Sequence, residues 1–106
     1  MELRAPVAVA VEIRGPDRRA FRLALHIGAD GLALEEPAPF EIGRPVEIAF
    51  RLPDGEAPLS ARARVGLCDG DDEEKGGRAL EFLDPPAELR LAVAAYVKDR
   101  LGLPNG

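Results

Sequence analysis

The chain carries one histidine, His26, and one cysteine, Cys68, among 106 residues. An ordinary structural zinc site takes four N or S ligands, so this pair does not build one, and a lone cysteine closes no internal disulfide. No Ser/His/Asp order with a nucleophile elbow appears, nor a Gly-rich loop that would cradle phosphates, so no enzymatic chemistry is expected. The acidic run Asp69, Asp71, Asp72, Glu73 and Glu74 places Glu74 at the sixth position, where a calcium loop needs Gly. It reads as a solvated loop, with docking of a basic partner as the alternative. Cys68 precedes this run, and neighbouring carboxylates disfavour a reactive thiolate there.

What remains is arginine, the commonest charged residue in the chain. Guanidinium groups bind phosphates and carboxylates through paired hydrogen bonds and stack on planar bases. Arg-x-x-x-Arg spacing occurs at Arg14–Arg18 and at Arg18–Arg22. Arg22, Arg51, Arg62 and Arg64 fall on the outward faces of predicted strands. They are expected either as a basic strip for a nucleotide phosphate or acidic partner, or as solvated arginines paired with Glu12 or Glu47. His26 sits at a strand end, either as an outward polar residue or as one that touches a ligand.

These groups need elements to hold them. Val7, Val9, Val11 and Ile13 alternate with Ala8, Ala10, Glu12 and Arg14, the period of a half-buried strand. Gly15-Pro16-Asp17 is a turn. Phe21, Leu23, Leu25 and Ile27 then alternate with Arg22, Ala24 and His26, and the two strands should pair as a hairpin with those apolar residues inward. A short third strand follows Gly31, with Leu32 and Leu34 inward. The proline-rich stretch 35–45 is a connection. Val46, Ile48, Phe50 and Leu52 mark a fourth strand, Leu59, Ala61, Ala63, Val65 and Leu67 a fifth, and residues 78–83 a sixth. The period then changes: Leu89, Val93, Tyr96, Val97 and Leu101 form one stripe of a helix. Asp84 is expected as its N-cap and Gly102 as the residue that ends it.

Six short strands and one helix in 106 residues make a single domain spanning 1–106, with strands over about 5–83 and the helix over about 85–101. Hairpin-length connections favour antiparallel pairing, and closing the sheet into a small barrel removes its exposed edges. The expected fold is therefore a six-stranded antiparallel β-barrel plus a C-terminal α-helix. A net charge of −5, from 14 basic and 19 acidic residues, argues against duplex nucleic acid and anionic lipid as partners. No apolar run approaches a membrane span and no signal pattern opens the chain, so a cytoplasmic location is expected.

The order of elements resembles the PilZ domain, the bacterial receptor module for cyclic di-GMP. The likeness rests on Arg4-Ala5-Pro6-Val7 leading into the first strand, His26-Ile27-Gly28-Ala29-Asp30-Gly31-Leu32 after the second, and Gly43-Arg44-Pro45-Val46 opening the fourth. Phe50-Arg51-Leu52-Pro53, Ala63-Arg64-Val65, and Phe82-Leu83 before the helix complete it. PilZ receptors carry Arg-x-x-x-Arg just before the first strand and [Asp/Asn]-x-Ser-x-x-Gly after the second. Here the second motif reads His26-x-Gly28-x-x-Gly31, and Arg4 matches the second Arg of the first, whose partner would fall before Met1.

The resemblance implies a non-catalytic signalling module, free of any cofactor, with cyclic di-GMP as the family's ligand. It implies Arg4, His26, Gly28 and Gly31 as the ligand-site positions. Two readings follow. In one, the nucleotide site is weakened or lost and the domain works through protein–protein contacts in a motility, pilus or polysaccharide pathway, as monomer or homodimer. In the other, it is a working cyclic di-GMP receptor that uses Arg4 with displaced arginines such as Arg18, Arg19 or Arg22.

Overall fold

The computed structural model describes residues 3–102. Its elements are β1 (Arg4–Arg14), β2 (Arg19–Gly28), β3 (Gly31–Leu34), β4 (Pro45–Phe50), β5 (Leu59–Gly66), β6 (Ala79–Leu83) and α1 (Ala87–Leu101). The strands close into an antiparallel barrel in the spatial order β1-β2-β3-β6-β5-β4. Closure through β1 and β4, which pair over Glu12–Arg14, pairs strand edges that a flat sheet would leave open. Valine and isoleucine fill the interior: Val11, Ile13, Ile27, Ile48 and Val65 are all 2% exposed or less, and Leu32, Leu34 and Leu80 join them. Phe50 and Phe82 stack nearly parallel with ring centroids 6.4 Å apart. Ala38 and Phe40, from the proline-rich connection, are also buried in this core.

β1 keeps the expected alternation along its whole length, with Ala5 to Ile13 inward at every second residue. β2 does not. Phe21 is 59% and Leu23 38% exposed, whereas Ala24 and Ile27 are fully buried. The cause is a register shift at Leu25. From Ala5↔Ile27 to Val9↔Ala24, β1 advances four residues while β2 advances three. On the other side, β2 advances three from Ala24 to Ile27 while β3 advances two from Leu34 to Leu32. An odd step inverts the period-two phase, so a single run of alternating residues presents opposite faces before and after it. The expected inward set Phe21, Leu23, Leu25 and Ile27 is thus corrected to Ala24 and Ile27, with Phe21 and Leu23 outside. β5 ends at Gly66, which leaves Leu67 exposed rather than inward.

α1 lies against β1, β2 and β5. Leu89, Val93 and Val97 are its buried stripe. Tyr96, half-buried beside them, donates its hydroxyl proton to the Pro6 carbonyl at 2.9 Å and ties the helix to β1. Gly102 ends the helix in the left-handed conformation (φ 67°), its N–H meeting the Asp99 and Lys98 carbonyls. The N-cap is Pro86, not Asp84. Asp84 lies two residues further out with φ 46° and gives the helix no side-chain cap. The two prolines occupy the positions that a capping carboxylate would have to reach across, and the Pro86 carbonyl accepts the Arg90 N–H at 3.0 Å.

The acidic stretch is a pinned loop. The Asp71 carboxylate, 4% exposed, accepts hydrogen bonds from the backbone N–H groups of Cys68 (2.7 Å) and Arg78 (3.0 Å) and from the Arg78 guanidinium. It joins the end of β5 to the start of β6. Burial opposes ionisation of Asp71, but these three donors hold its carboxyl below the usual range. Burial, with Asp71 adding to it, pushes the Cys68 thiol up, in line with an unreactive cysteine.

Candidate functional site

One cross-strand row runs around the outside of the barrel. Arg4 pairs with Gly28, Gly28 with Gly31, Gly31 with Glu81, Glu81 with Arg64, and Arg64 with Pro45. Two glycines in adjacent strands leave the wall without side chains there. Arg4, Asp30, Gly31 and Glu81 line a shallow cleft of about 250 Å³ over this bare stretch. The Arg4 guanidinium meets the Asp30 carboxylate at 3.2 Å, both side chains 42% exposed. The row below carries His26, which pairs with Pro6 and Ala33 and is exposed.

The glycines differ in what holds them. Gly31 has φ 155°, and a Cβ there would lie 2.0 Å from the Leu80 carbonyl oxygen, so the β3–β6 pairing itself requires glycine. At Gly28 a Cβ would lie 2.8 Å from the Leu3 carbonyl oxygen and 3.1 Å from Arg4 Cγ. The space that a hydroxyl-bearing side chain would occupy is taken by the segment entering β1.

The structure brings Arg4, His26, Gly28 and Gly31 together at one end of the β1–β2 hairpin. It does not bring Arg18, Arg19 and Arg22 there. Arg19 pairs with Arg14 at the opposite end of the hairpin, about 30 Å from Arg4 at the usual strand rise. Each of the three is engaged locally. Arg18 lies over the Phe40 ring at 5.3 Å. Arg19 reaches Glu12 at 3.2 Å and lies over Phe21. Arg22 is half-buried rather than outward, donating from Nε to the Pro37 carbonyl and from Nη1 to its neighbour Phe21, each at 2.9 Å. Of the expected basic strip, Arg62 and Arg64 sit on the outer face of β5, opposite Glu47 and between Pro45 and Glu81 respectively, and Arg51 is exposed beyond β4. Their carboxylate neighbours make this a mixed surface, not a basic one. The Asp30 partner of Arg4 carries no signal in the sequence, because 26 residues separate them and only the β1–β2–β3 pairing joins them.

Among the described residues no cluster of three or more His, Cys, Asp or Glu is placed to hold a metal ion. What the arrangement offers is one half-exposed guanidinium with a carboxylate on it, above a bare strip of backbone.

Comparison with known proteins bears on the family and the fold. The PilZ domain model matches residues 1–99. No curated protein matches the chain. Among solved structures, the Bacillus subtilis inhibitor of motility MotI/DgrA superposes with a TM-score of 0.76 at 23% identity, over 95% of this chain and 50% of that one. At that identity the likeness is one of fold, and this chain spans about half the length of that protein. PilZ domains are regulatory modules, and cyclic di-GMP is their typical ligand. With nearly its full length matched and its barrel-plus-helix order in place, the chain belongs to the PilZ domain family.

Proposed function

We propose that this PilZ domain is a non-catalytic regulatory module that acts through protein contacts and holds cyclic di-GMP weakly or not at all. The observation that carries this reading is the state of the site. The arginine that lines its cleft, Arg4, already holds Asp30, and the Gly28 position is closed by the Leu3 carbonyl. A charge-assisted hydrogen bond contributes about 1.5–3 kcal/mol, so each one lost weakens a ligand roughly ten- to a hundredfold. A carboxylate or amide replaced by His26 and a hydroxyl replaced by Gly28 remove two such contacts, and Asp30 competes for the third.

The receptor reading needs Arg18, Arg19 or Arg22 beside Arg4, and their place at the far end of the hairpin speaks against it. The fold likeness to an inhibitor of motility makes motility control the first output to examine, with pilus and polysaccharide pathways next. The cytoplasm is the compartment this reading assumes. No described helix is long and apolar enough to cross a membrane. Calorimetric titration of the purified chain with cyclic di-GMP tests the proposal. We expect a dissociation constant above about 100 µM; a value of about 1 µM or below that collapses on Arg4→Glu overturns it in favour of a receptor.

A further inference from the structure

The register shift in β2 has turned two large apolar side chains outward. Phe21 is 59% and Leu23 38% exposed. Beside them on β1, opposite Leu23 and two residues beyond, stand Ala10 and Ala8, both exposed. Exposed apolar residues scattered singly need no explanation, but a contiguous strip marks a contact surface. Phe21 has Glu12 as its cross-strand partner and Arg19 over its ring, and these two charges pair with each other. The strip lies on the outer face of the paired β1 and β2, so a partner that covers Phe21 and Leu23 packs face to face on it.

The charges beside the strip indicate what fits it. On the β3 side, Glu35 is bonded through its N–H to the Leu23 carbonyl and is exposed. On the β4 side, Arg51 follows β4 directly and is exposed. β4 is the strand that pairs with the other edge of β1, through Glu12↔Ala49. Neither Glu35 nor Arg51 takes part in an ion pair among the described residues. With Glu12 and Arg19 paired to each other, the unpaired charges beside the apolar centre are Glu35 on the acidic flank and Arg51 on the basic one. A partner surface of one sign would be repelled by one of them. A surface with the same two flanks, turned about an axis parallel to the strands, sets Glu35 against Arg51 on both sides, and that surface is another copy of this chain.

We propose that the outer face of β1 and β2 is a two-fold interface between two copies of this chain, with Phe21 and Leu23 at its centre and reciprocal Glu35–Arg51 pairs at its rim. This goes beyond the proposed function and does not depend on whether cyclic di-GMP binds. The strip is small against the roughly 800 Å² per partner of a standard interface, so the association is a weak one, with a dissociation constant on the order of 100 µM.

Sedimentation equilibrium of the full chain from about 10 µM to 1 mM reads it out. The average mass should rise towards twice the monomer mass across that range. Phe21→Ser should raise the dissociation constant at least about tenfold. Glu35→Arg and Arg51→Glu should each weaken association severalfold, while the double variant, or an equimolar mixture of the two single variants, should return to the wild-type value. These positions are exposed, so the variants should melt at the wild-type temperature. Monomer mass throughout, a dimer indifferent to Phe21→Ser, or no recovery in the double variant each overturns the proposal.

Discussion

Replacing Asp71 by alanine should cost more than any other change to a charged residue in this protein. Its carboxylate satisfies the N–H groups of Cys68 and Arg78 and holds the Arg78 side chain, which joins the two ends of the loop between β5 and β6. Alanine leaves two part-buried N–H groups without their acceptor. An unsatisfied buried donor costs about 1–3 kcal/mol, and water entering a surface loop recovers part of that. We expect a loss of about 2–4 kcal/mol, or about 9–18 °C in Tm for a domain of this length. The pH dependence gives a second readout. Asp71 has a folded-state pKa below its unfolded value, so its contribution is fully present above the unfolded value of about 3.9 and is lost as pH falls through that value towards the folded one. Urea titrations of wild type and Asp71→Ala at pH 7, 5 and 3.5 should show the same gap at the first two and a smaller gap at the third. A gap under about 0.5 kcal/mol at pH 7, or one that does not shrink at pH 3.5, would refute the reasoning.

Four further outcomes follow from the same geometry. Gly31→Ala should cost at least about 2 kcal/mol by urea denaturation, because its Cβ meets the Leu80 carbonyl oxygen at 2.0 Å. Leu89→Ala, which empties a position only 1% exposed beneath the helix, should cost about 2–5 kcal/mol in the same assay. Tyr96→Phe keeps the packing and loses the bond to the Pro6 carbonyl, so it should cost about 0.5–1.5 kcal/mol and speed amide exchange in α1. Gly28→Ser restores a hydroxyl at the motif position but drives its Cβ to 2.8 Å from the Leu3 carbonyl oxygen, so calorimetry should show no gain in cyclic di-GMP affinity and a melting scan should show a lower Tm.

The strand count, the closure into a barrel and the helix were legible because β1, β4 and β5 alternate cleanly and α1 repeats near 3.6 residues. β2 was legible as a strand but not in its phase. Phe21 to Ile27 obeys period two without a break, and nothing in that run shows that the pairing slips at Leu25. Ala24 turns inward, and Phe21 and Leu23 are left outside. The site was half legible. Arg4, His26, Gly28 and Gly31 are marked as candidates by their place in two motifs, and the strand pairing sets them at one end of the hairpin. Asp30 and Asp71 are not so marked, since each gains its meaning from partners that a loop or a pairing brings near. Asp71 in particular looks, in sequence, like its acidic neighbours, and only its burial under Arg78 separates it from them.

The way the two motifs survive also has a physical reason. Core and site use opposite faces of the same strands. Ala5 and Ile27 are buried where Arg4 and His26 face out, so substitutions on the outer face leave the barrel's packing untouched. His26 and Gly28 depart from the family's ligand pattern, and neither departure removes a core contact. Gly31 keeps the pattern, and it is the position that the fold itself needs, because any side chain there would push β6 away from β3. Gly31 can therefore match the motif for reasons unrelated to a nucleotide, and its presence does not argue that cyclic di-GMP binds. A fold of this kind can lose its ligand while keeping its shape, and what it then has left to offer a partner is its outer surface, including the apolar strip that the slipped strand has turned to solvent.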